Sequence, residues 1–597
     1  MSNFFKTMSS IKYTCLTALS LSLSCQVMAQ TSPNGKIKAI LDEGDEVEVE
    51  YKNGGKWIDL FSIDTKAMKT SKARKVTVDY EMLTGKRLHP TNQYRESDYL
   101  DSRGNKLFTI RVYNDGIAIK GQFGTVDMDD ATNNWLMRWT DGYEGFFPKN
   151  PKVKAGDRIG YPALFEYEEK GKESAWVLIS ESNIHNNEAG SSMHATAENG
   201  HFDLLPDGKE EGGWQTFIIG GLSDIVESTL INDNSDPCQL GDISWIEPGV
   251  ASWVYWAYNH GSNDYNIIKM YTDFAETLHL KYVLIDAEWD EMKDGKTVED
   301  AVKYAISKGV KPMIWYNSSV GWVNGAPGPK YRLNKPEDRE KEFAWCEKIG
   351  VTGVKIDFFS GDTNMNMAYM IDLLKCAAKH HLLVNFHGAT IPRGWQRTYP
   401  NLMSTEGVYG AEWYNNVPTF TKRAAAHNAT LPFTRNVIGP MDYTPCAFSD
   451  SQHPHITSNA HELALTVLYE SGIQHLADRP ESFLSQPQEV QDFLSKLPTA
   501  WDDTKLLAGY PGEYAVIARR SGKTWYVAGI NGTDEKKDIT FSLKSLKWKG
   551  QNITVFKDGA TADQSWQIYS YLTDKGNPQD LQKQATMPRG GFIIVLQ

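Results

Sequence analysis

Between Ala251 and Asp478 the chain repeats one arrangement: a short apolar run, then a longer amphipathic one. Apolar runs of this length set between helical patterns mark βα units, whose strands lie parallel in a sheet covered by helices. Eight such runs are legible: ASWVYWA (251–257), YVLIDAEW (282–289), KPMIWYN (311–317), GVKIDFF (353–359), HLLVNFHG (381–388), NLMSTEG (401–407), LPFTRNV (431–437) and GIQHLAD (472–478). Segments such as NDYNIIKMYTDFAETLH and REKEFAWCEKIG between them carry helical spacing. Eight units in this length predict a (β/α)8 TIM barrel.

The rhythm differs on either side. From Gln30 to about Pro248, runs such as KVTVDYEM and KLFTIRVYNDGIAIKGQF alternate in polarity and break at Gly, Asn and Asp. This predicts a large antiparallel β-sandwich. From about Trp501 strands return in EYAVIARRSGKTWYVAGIN, KDITFSL and GGFIIVLQ. A chain of 597 residues is too long for one core. The expected division is an N-terminal β-sandwich domain over 30–248, a catalytic barrel over 249–500 and a C-terminal antiparallel β domain over 501–597.

Residues 1–29 read as a secretory leader. Lys6 and Lys12 supply a basic start, TCLTALSLSLS is too short to span a bilayer, and Val27-Met28-Ala29 suits cleavage before Gln30. Lipidation at Cys25 fits Ser22-Leu23-Ser24 poorly. A periplasmic or secreted location follows as an expectation, with no integral membrane segment. Cys238, Cys346, Cys376 and Cys446 remain in the mature chain without a CxxC pair, which argues against a zinc ribbon. A disulfide is open in an oxidising compartment; Cys346 and Cys376, in helix-like segments, read as buried thiols. A net charge of −13 argues against nucleic acid as partner. Eighteen tryptophans suit stacking on sugar rings, and equally suit large β-rich cores.

Barrel active sites sit at the C-terminal ends of the strands. Acids gather there: Asp286, Glu288 and Asp290 after the second run, Asp357 in the fourth, Glu406 and Glu412 at and after the sixth, Asp478 in the eighth. Trp256, Trp289, Trp315 and Trp413 lie beside them. Glycoside hydrolysis needs two carboxyl groups, one to attack or activate water and one to protonate the leaving oxygen. Lys355 lies two positions before Asp357, on the same strand face, and a cation there would keep the carboxylate ionised, as a nucleophile requires. A structural ion pair would leave the same pattern. Glu406 and Glu412 have no Lys or Arg near them in TEGVYGAEW. They either diverge into solvent or share a hard cation such as Ca²⁺.

The stretches GVKIDFF, QRTYPNLMSTEGVYGAEW and LPFTRNVIGPMDYTP, with ISWIEPGVASWVYW and YVLIDAEW, resemble glycoside hydrolase family 97. The resemblance implies a β-super-sandwich, a (β/α)8 barrel and a C-terminal β domain. It also implies exo-acting hydrolysis of α-glycosides with bound Ca²⁺. Inverting members of the family, α-glucosidases, carry a base Glu at the end of strand five. Here that strand reads NFHGATIP, with His387 and Gly388, while strand four carries Asp357. This resembles the retaining branch, mostly α-galactosidases. By the resemblance Asp357 is the nucleophile and Glu412 the acid/base. Glu406 and Glu412 are Ca²⁺ ligands, with Glu181 of ISESN as a third from the sandwich. Asp286, Glu288, Lys355 and His387 are candidates for binding sugar hydroxyls. The chain departs from the family at Cys446, where a small residue, usually Gly, is expected. An α-glucosidase, a β-L-arabinopyranosidase and a non-catalytic carbohydrate-binding protein are the alternatives. The presence of both carboxylates argues against the last.

Overall fold

The computed structural model describes residues 28–42, 45–197, 200–254, 261–414, 417–450, 456–561, 564–573 and 581–597. The leader up to Val27, Trp256 and most of the loop after Ser449 lie outside the described residues. Gln30 and Thr31, on the mature side of the expected cleavage point, pair with Ala39 and Lys38.

The N-terminal region is an antiparallel sheet of sixteen strands. Alternation sets its faces: Ile37, Ala39, Val47 and Val49 are buried, while Lys38, Glu48 and Glu50 between them point outward. The sheet folds over itself, so Phe61 and Phe217, from strands that are not neighbours, stack at 4.8 Å between ring centres.

The central region is a parallel sheet. Its strands are β1 (Gly249–Trp253), β2 (Tyr282–Ile285), β3 (Lys311–Asn317), β4 (Gly353–Asp357), β5 (Leu383–Phe386), β6 (Leu402–Thr405) and β7 (Ile473–Leu476). They pair in the order β6-β5-β4-β3-β2-β1-β7. Helices α1 (Tyr265–Thr277), α2 (Val298–Ser307), α3 (Pro336–Ile349) and α4 (Asn364–Lys379) cover the first half. Every residue of β4 is buried, as strands covered on both faces require.

The seventh strand expected at 431–437 is not a strand. LPFTRNV forms two 3₁₀ turns, Leu431–Phe433 and Arg435–Val437. The reason is Arg435, wholly buried, whose guanidinium donates to the carbonyls of Thr405, Glu406, Gly407, Gly439 and Pro440. It gathers the chain around the end of β6 instead of extending it. The gap between β6 and β7 is filled by 441–445: Asp442 N donates to Thr405 O and Ala477 N to Pro445 O, each at 3.1 Å. Pro440 and Pro445 have no N–H to give, so this wall forms no regular ladder. Just beyond it, Cys446 is buried at φ 80°, the left-handed region where glycine is unstrained. A residue without a Cβ suits that backbone better.

The C-terminal region has a six-stranded antiparallel sheet and a two-stranded one, joined through a core in which Phe541 stacks on Phe592 at 5.6 Å. Cys238, Cys346, Cys376 and Cys446 are free thiols. No described helix is long and apolar enough to cross a membrane.

Candidate active site

A cleft of about 350 Å³ opens at the C-terminal ends of the barrel strands. Asp286, Lys355, Asp357, Glu406 and Glu412 line it, with Glu144 reaching in from the sandwich. Asp357 ends β4. Its carboxylate accepts from Trp315 Nε1 at 3.1 Å and from Phe358 N at 2.8 Å. Phe358 turns at once into the left-handed region, φ 65°, so the strand stops where it has delivered the carboxylate. Gly388 completes the arrangement. A Cβ there would lie 2.9 Å from the Asp357 carboxylate, so the missing side chain on the strand-five loop makes room for the strand-four acid.

Lys355 does not pair with Asp357 as the two-residue spacing suggests. Its Nζ lies 3.1 Å from Asp286, both groups buried, and Asp286 also accepts from Trp253 Nε1 and Ala287 N, each at 2.8 Å. Burial works to raise the Asp286 pKa, but Lys355 and these donors hold it below the usual carboxylate range. Asp357 goes the other way. Burial pushes its pKa up, Lys355 and His387 pull it back only in part, and Glu406 adds to the rise.

His387 is not free for a sugar hydroxyl. The ring is 1% exposed; Nε2 lies 2.7 Å from Asp442 and Nδ1 3.3 Å from Glu406. Burial disfavours its charge, yet Glu406 and Asp442 outweigh that and hold the imidazolium. Glu288 is likewise outside the cleft. It sits at φ 72° before a 3₁₀ turn and its carboxylate accepts from Asn263 at 3.1 Å. Asp478 accepts from Phe448 N, Ser449 N and Ser482 Oγ, and so anchors a loop. Trp289 is buried and donates to the Trp315 carbonyl at 2.6 Å, while Trp315 and Trp413 face the cleft.

Glu406 accepts from Gly388 N at 2.7 Å. Glu412, half-buried in the turn Ala411–Tyr414, is pushed up to about 8, first by burial and then by Glu406, with His387 and Lys355 pulling the other way. His387, Glu406 and Glu412 place ligand atoms within 4.8 Å of one another. Glu144 accepts from Trp413 Nε1 at 2.7 Å, and burial, then Glu406 and Glu412, push its carboxyl well above the usual range. Glu406 raises the pKa of both Glu144 and Glu412, and the three carboxyl groups around one space, with His387 beside Glu406, form a hard oxygen donor set that fits Ca²⁺.

The third ligand expected from the sandwich was Glu181, and that residue lies elsewhere. It is wholly buried and accepts from Ser191 N and Oγ, Gly213 N, Gln215 Nε2 and Arg393 Nε at 2.7–3.1 Å, which leaves it no capacity for a cation. Two sandwich acids, Asp141 and Glu144, line the cleft, and Glu144 is the one whose carboxyl Glu406 and Glu412 push up. Nothing in its local stretch DGYEGFF announces this, because its neighbours in the site come from the far end of the barrel. Asp442, which fixes His387 and His475 at 2.7 and 2.8 Å, lies inside the motif PMDYTP and drew no role there.

Three family descriptions match this chain: "Glycosyl-hydrolase 97 N-terminal" over 31–237, "Glycoside hydrolase 97" over 245–408, and "Glycosyl-hydrolase 97 C-terminal, oligomerisation" over 500–597. A probable retaining α-galactosidase of Streptomyces bingchenggensis is 35% identical over 74% of this chain and 70% of its own length. A retaining α-galactosidase of Bacteroides thetaiotaomicron is 29% identical over 68% of this chain and 65% of its own. Among solved structures, a β-arabinopyranosidase superposes with TM-score 0.85 at 25% identity, covering 95% of this chain and all of the other. A family 97 enzyme from Pseudoalteromonas sp. strain K8 superposes with TM-score 0.80 at 20% identity over 96% of this chain and all of its own, a likeness of fold.

Proposed function

The chain belongs to glycoside hydrolase family 97, and from that premise we propose that it is a retaining, exo-acting α-galactosidase with Asp357 as nucleophile and Glu412 as acid/base. The observation that carries this is the exchange at neighbouring strands: Asp357 ends β4 in the cleft, while the β5 loop presents Gly388 and no carboxylate to activate water. Asp357 attacks the anomeric carbon as the bond to the leaving oxygen breaks, and Glu412 protonates that oxygen. Glu412 then takes a proton from water, which attacks the same carbon and releases Asp357. Two inversions leave the α configuration. The Asp286–Lys355 pair offers fixed acceptors and donors to ring hydroxyls. The volume of the cleft suits a terminal sugar and little more. The leader-like N-terminus supports a periplasmic or secreted location and an oligosaccharide substrate met there.

Glu144, Glu406 and Glu412 would hold the Ca²⁺, which would supply positive charge beside the leaving group. Such a charge lowers the Glu412 pKa. Burial and Glu406 act against that effect, pushing the carboxyl up to about 8 beforehand. Because the acid must be protonated to act, kcat/KM is expected to fall as pH rises through the Glu412 pKa. The basic limb should lie lower with Ca²⁺ than after EGTA treatment. A limb that survives unchanged in Glu412→Gln would remove this residue from the acid role. EGTA is expected to lower activity and Ca²⁺ to restore it, with Glu144→Gln requiring more Ca²⁺ for half-restoration. No response to exhaustive chelation would count against the metal.

A second reading has support of its own. The β-arabinopyranosidase likeness spans nearly the whole chain, and a β-L-arabinopyranoside has the galactose ring pattern without C6. Hydrolysis of p-nitrophenyl α-galactoside, β-L-arabinopyranoside and α-glucoside decides. Preference for the first is the expected result. Preference for the α-glucoside, with β product appearing first by NMR, would overturn the retaining assignment.

A further inference from the structure

On the outside of the barrel, two adjacent helices bring together a thiol, an imidazole and a carboxylate that the hydrolase site does not use. Cys376 and His380 lie four residues apart, on the last turn of α4 and its cap, and so share one face. Glu340 comes from α3. Its Oε1 lies 3.1 Å from His380 Nε2 and its Oε2 lies 3.4 Å from Cys376 Sγ. All three donor atoms fall within 4.8 Å of one another. Bond lengths to a tetrahedral zinc ion put its donor atoms about 3.3–3.8 Å apart, so small rotamer changes would admit one.

What lies behind the imidazole is an independent observation. His380 Nδ1 is 3.0 Å from Glu347, two turns further along the same face of α3, and the same carboxylate is 3.1 Å from His381 Nδ1. A carboxylate on the far nitrogen orients the ring with Nε2 aimed at the other two donors, an arrangement that accompanies metal-ligating histidines. Cys376 is buried, whereas the Glu340 side chain is 49% exposed and leaves an approach for the ion and a water. Thiolate, imidazole and carboxylate together select a borderline transition ion over Ca²⁺.

We propose that Cys376, His380 and Glu340 form a site for a divalent transition-metal ion of the Zn²⁺ class, tying α3 to α4 on either side of the strand that carries Asp357. On binding, the Cys376 thiol gives its proton to solvent and the sulfur bonds the metal; the proton held between His380 Nε2 and Glu340 also leaves to solvent, which frees the ring nitrogen and a carboxylate oxygen to bond it. A water completes four ligands.

The test uses the full chain, stripped with EDTA and dialysed, then titrated with Co²⁺ and followed by visible and near-ultraviolet absorption. The expected result is a tetrahedral Co²⁺ spectrum with a thiolate-to-metal charge-transfer band, saturating at one ion per chain and lost on adding Zn²⁺. The charge-transfer band separates this site from the carboxylate cluster of the cleft, which has no sulfur. Cys376→Ser should abolish it. His380→Ala, at a side chain near the surface, should weaken binding beyond ~100-fold, and Glu347→Gln by roughly 10–100-fold. Glu406→Gln should leave it intact. The absence of a thiolate band in the folded parent would overturn the proposal, as would a band that persists in Cys376→Ser or one that saturates in His380→Ala at the parent's Co²⁺ concentration.

Discussion

Asp357→Ala is expected to lower turnover of an α-galactoside by roughly three to six orders of magnitude, because no neighbouring group can form the covalent intermediate. The residual rate should rise when azide is supplied. A small anion can enter the space left at the end of β4 and attack from the same face, so the product is the β-galactosyl azide. The loss is not expected to reflect misfolding. Asp357 is a buried acid whose carboxyl burial and Glu406 already destabilise in its charged form. Removing it relieves that repulsion, and Lys355 keeps its partner in Asp286. The variant should therefore unfold at a temperature equal to or above the parent's. Turnover within tenfold of the parent, or an α-azide product, would take Asp357 out of the nucleophile role.

The carboxylates on the barrel strands were legible because position and chemistry coincide there. Asp286, Asp357 and Glu406 each follow an apolar run that could only be a covered strand, and all three line one cleft. What the sequence hid was pairing. Lys355 is nearest Asp357 along the strand, yet its four-carbon stem reaches across to Asp286 on β2, a distance set by the closure of the sheet. LPFTRNV has strand composition, and the demand of five carbonyls on Arg435 overrides it. Glu181 and Glu144 show the same limit between domains. Both are sandwich acids, and only the docking of the sandwich on the barrel decides which one meets Glu406 and which meets Arg393.

That docking supplies the second large effect. Arg393 follows β5, is wholly buried, and donates through Nε to Glu181 at 2.7 Å and through Nη2 to Asp362 at 2.8 Å. Asp362 also accepts from Trp139 Nε1 at 2.8 Å and the Tyr143 hydroxyl at 2.7 Å, two residues of the stretch that leads into Glu144. Arg393→Met would leave two carboxylates buried without their cation, and breaking a buried pair in this way costs about 3–5 kcal/mol. Denaturant unfolding should register a loss of that order. Glu181→Gln keeps an acceptor for Arg393 and the backbone donors, so it should cost less than Arg393→Met and leave the Ca²⁺ dependence of the folded enzyme unchanged. The two roles open to a sandwich acid thus separate cleanly. If Glu181→Gln weakened Ca²⁺ activation while stability held, Glu181 would be a ligand after all. If Glu144→Gln weakened it while Glu181→Gln lowered stability alone, the cation would belong with Glu144, and Arg393 would be the clamp that brings Glu144 to it.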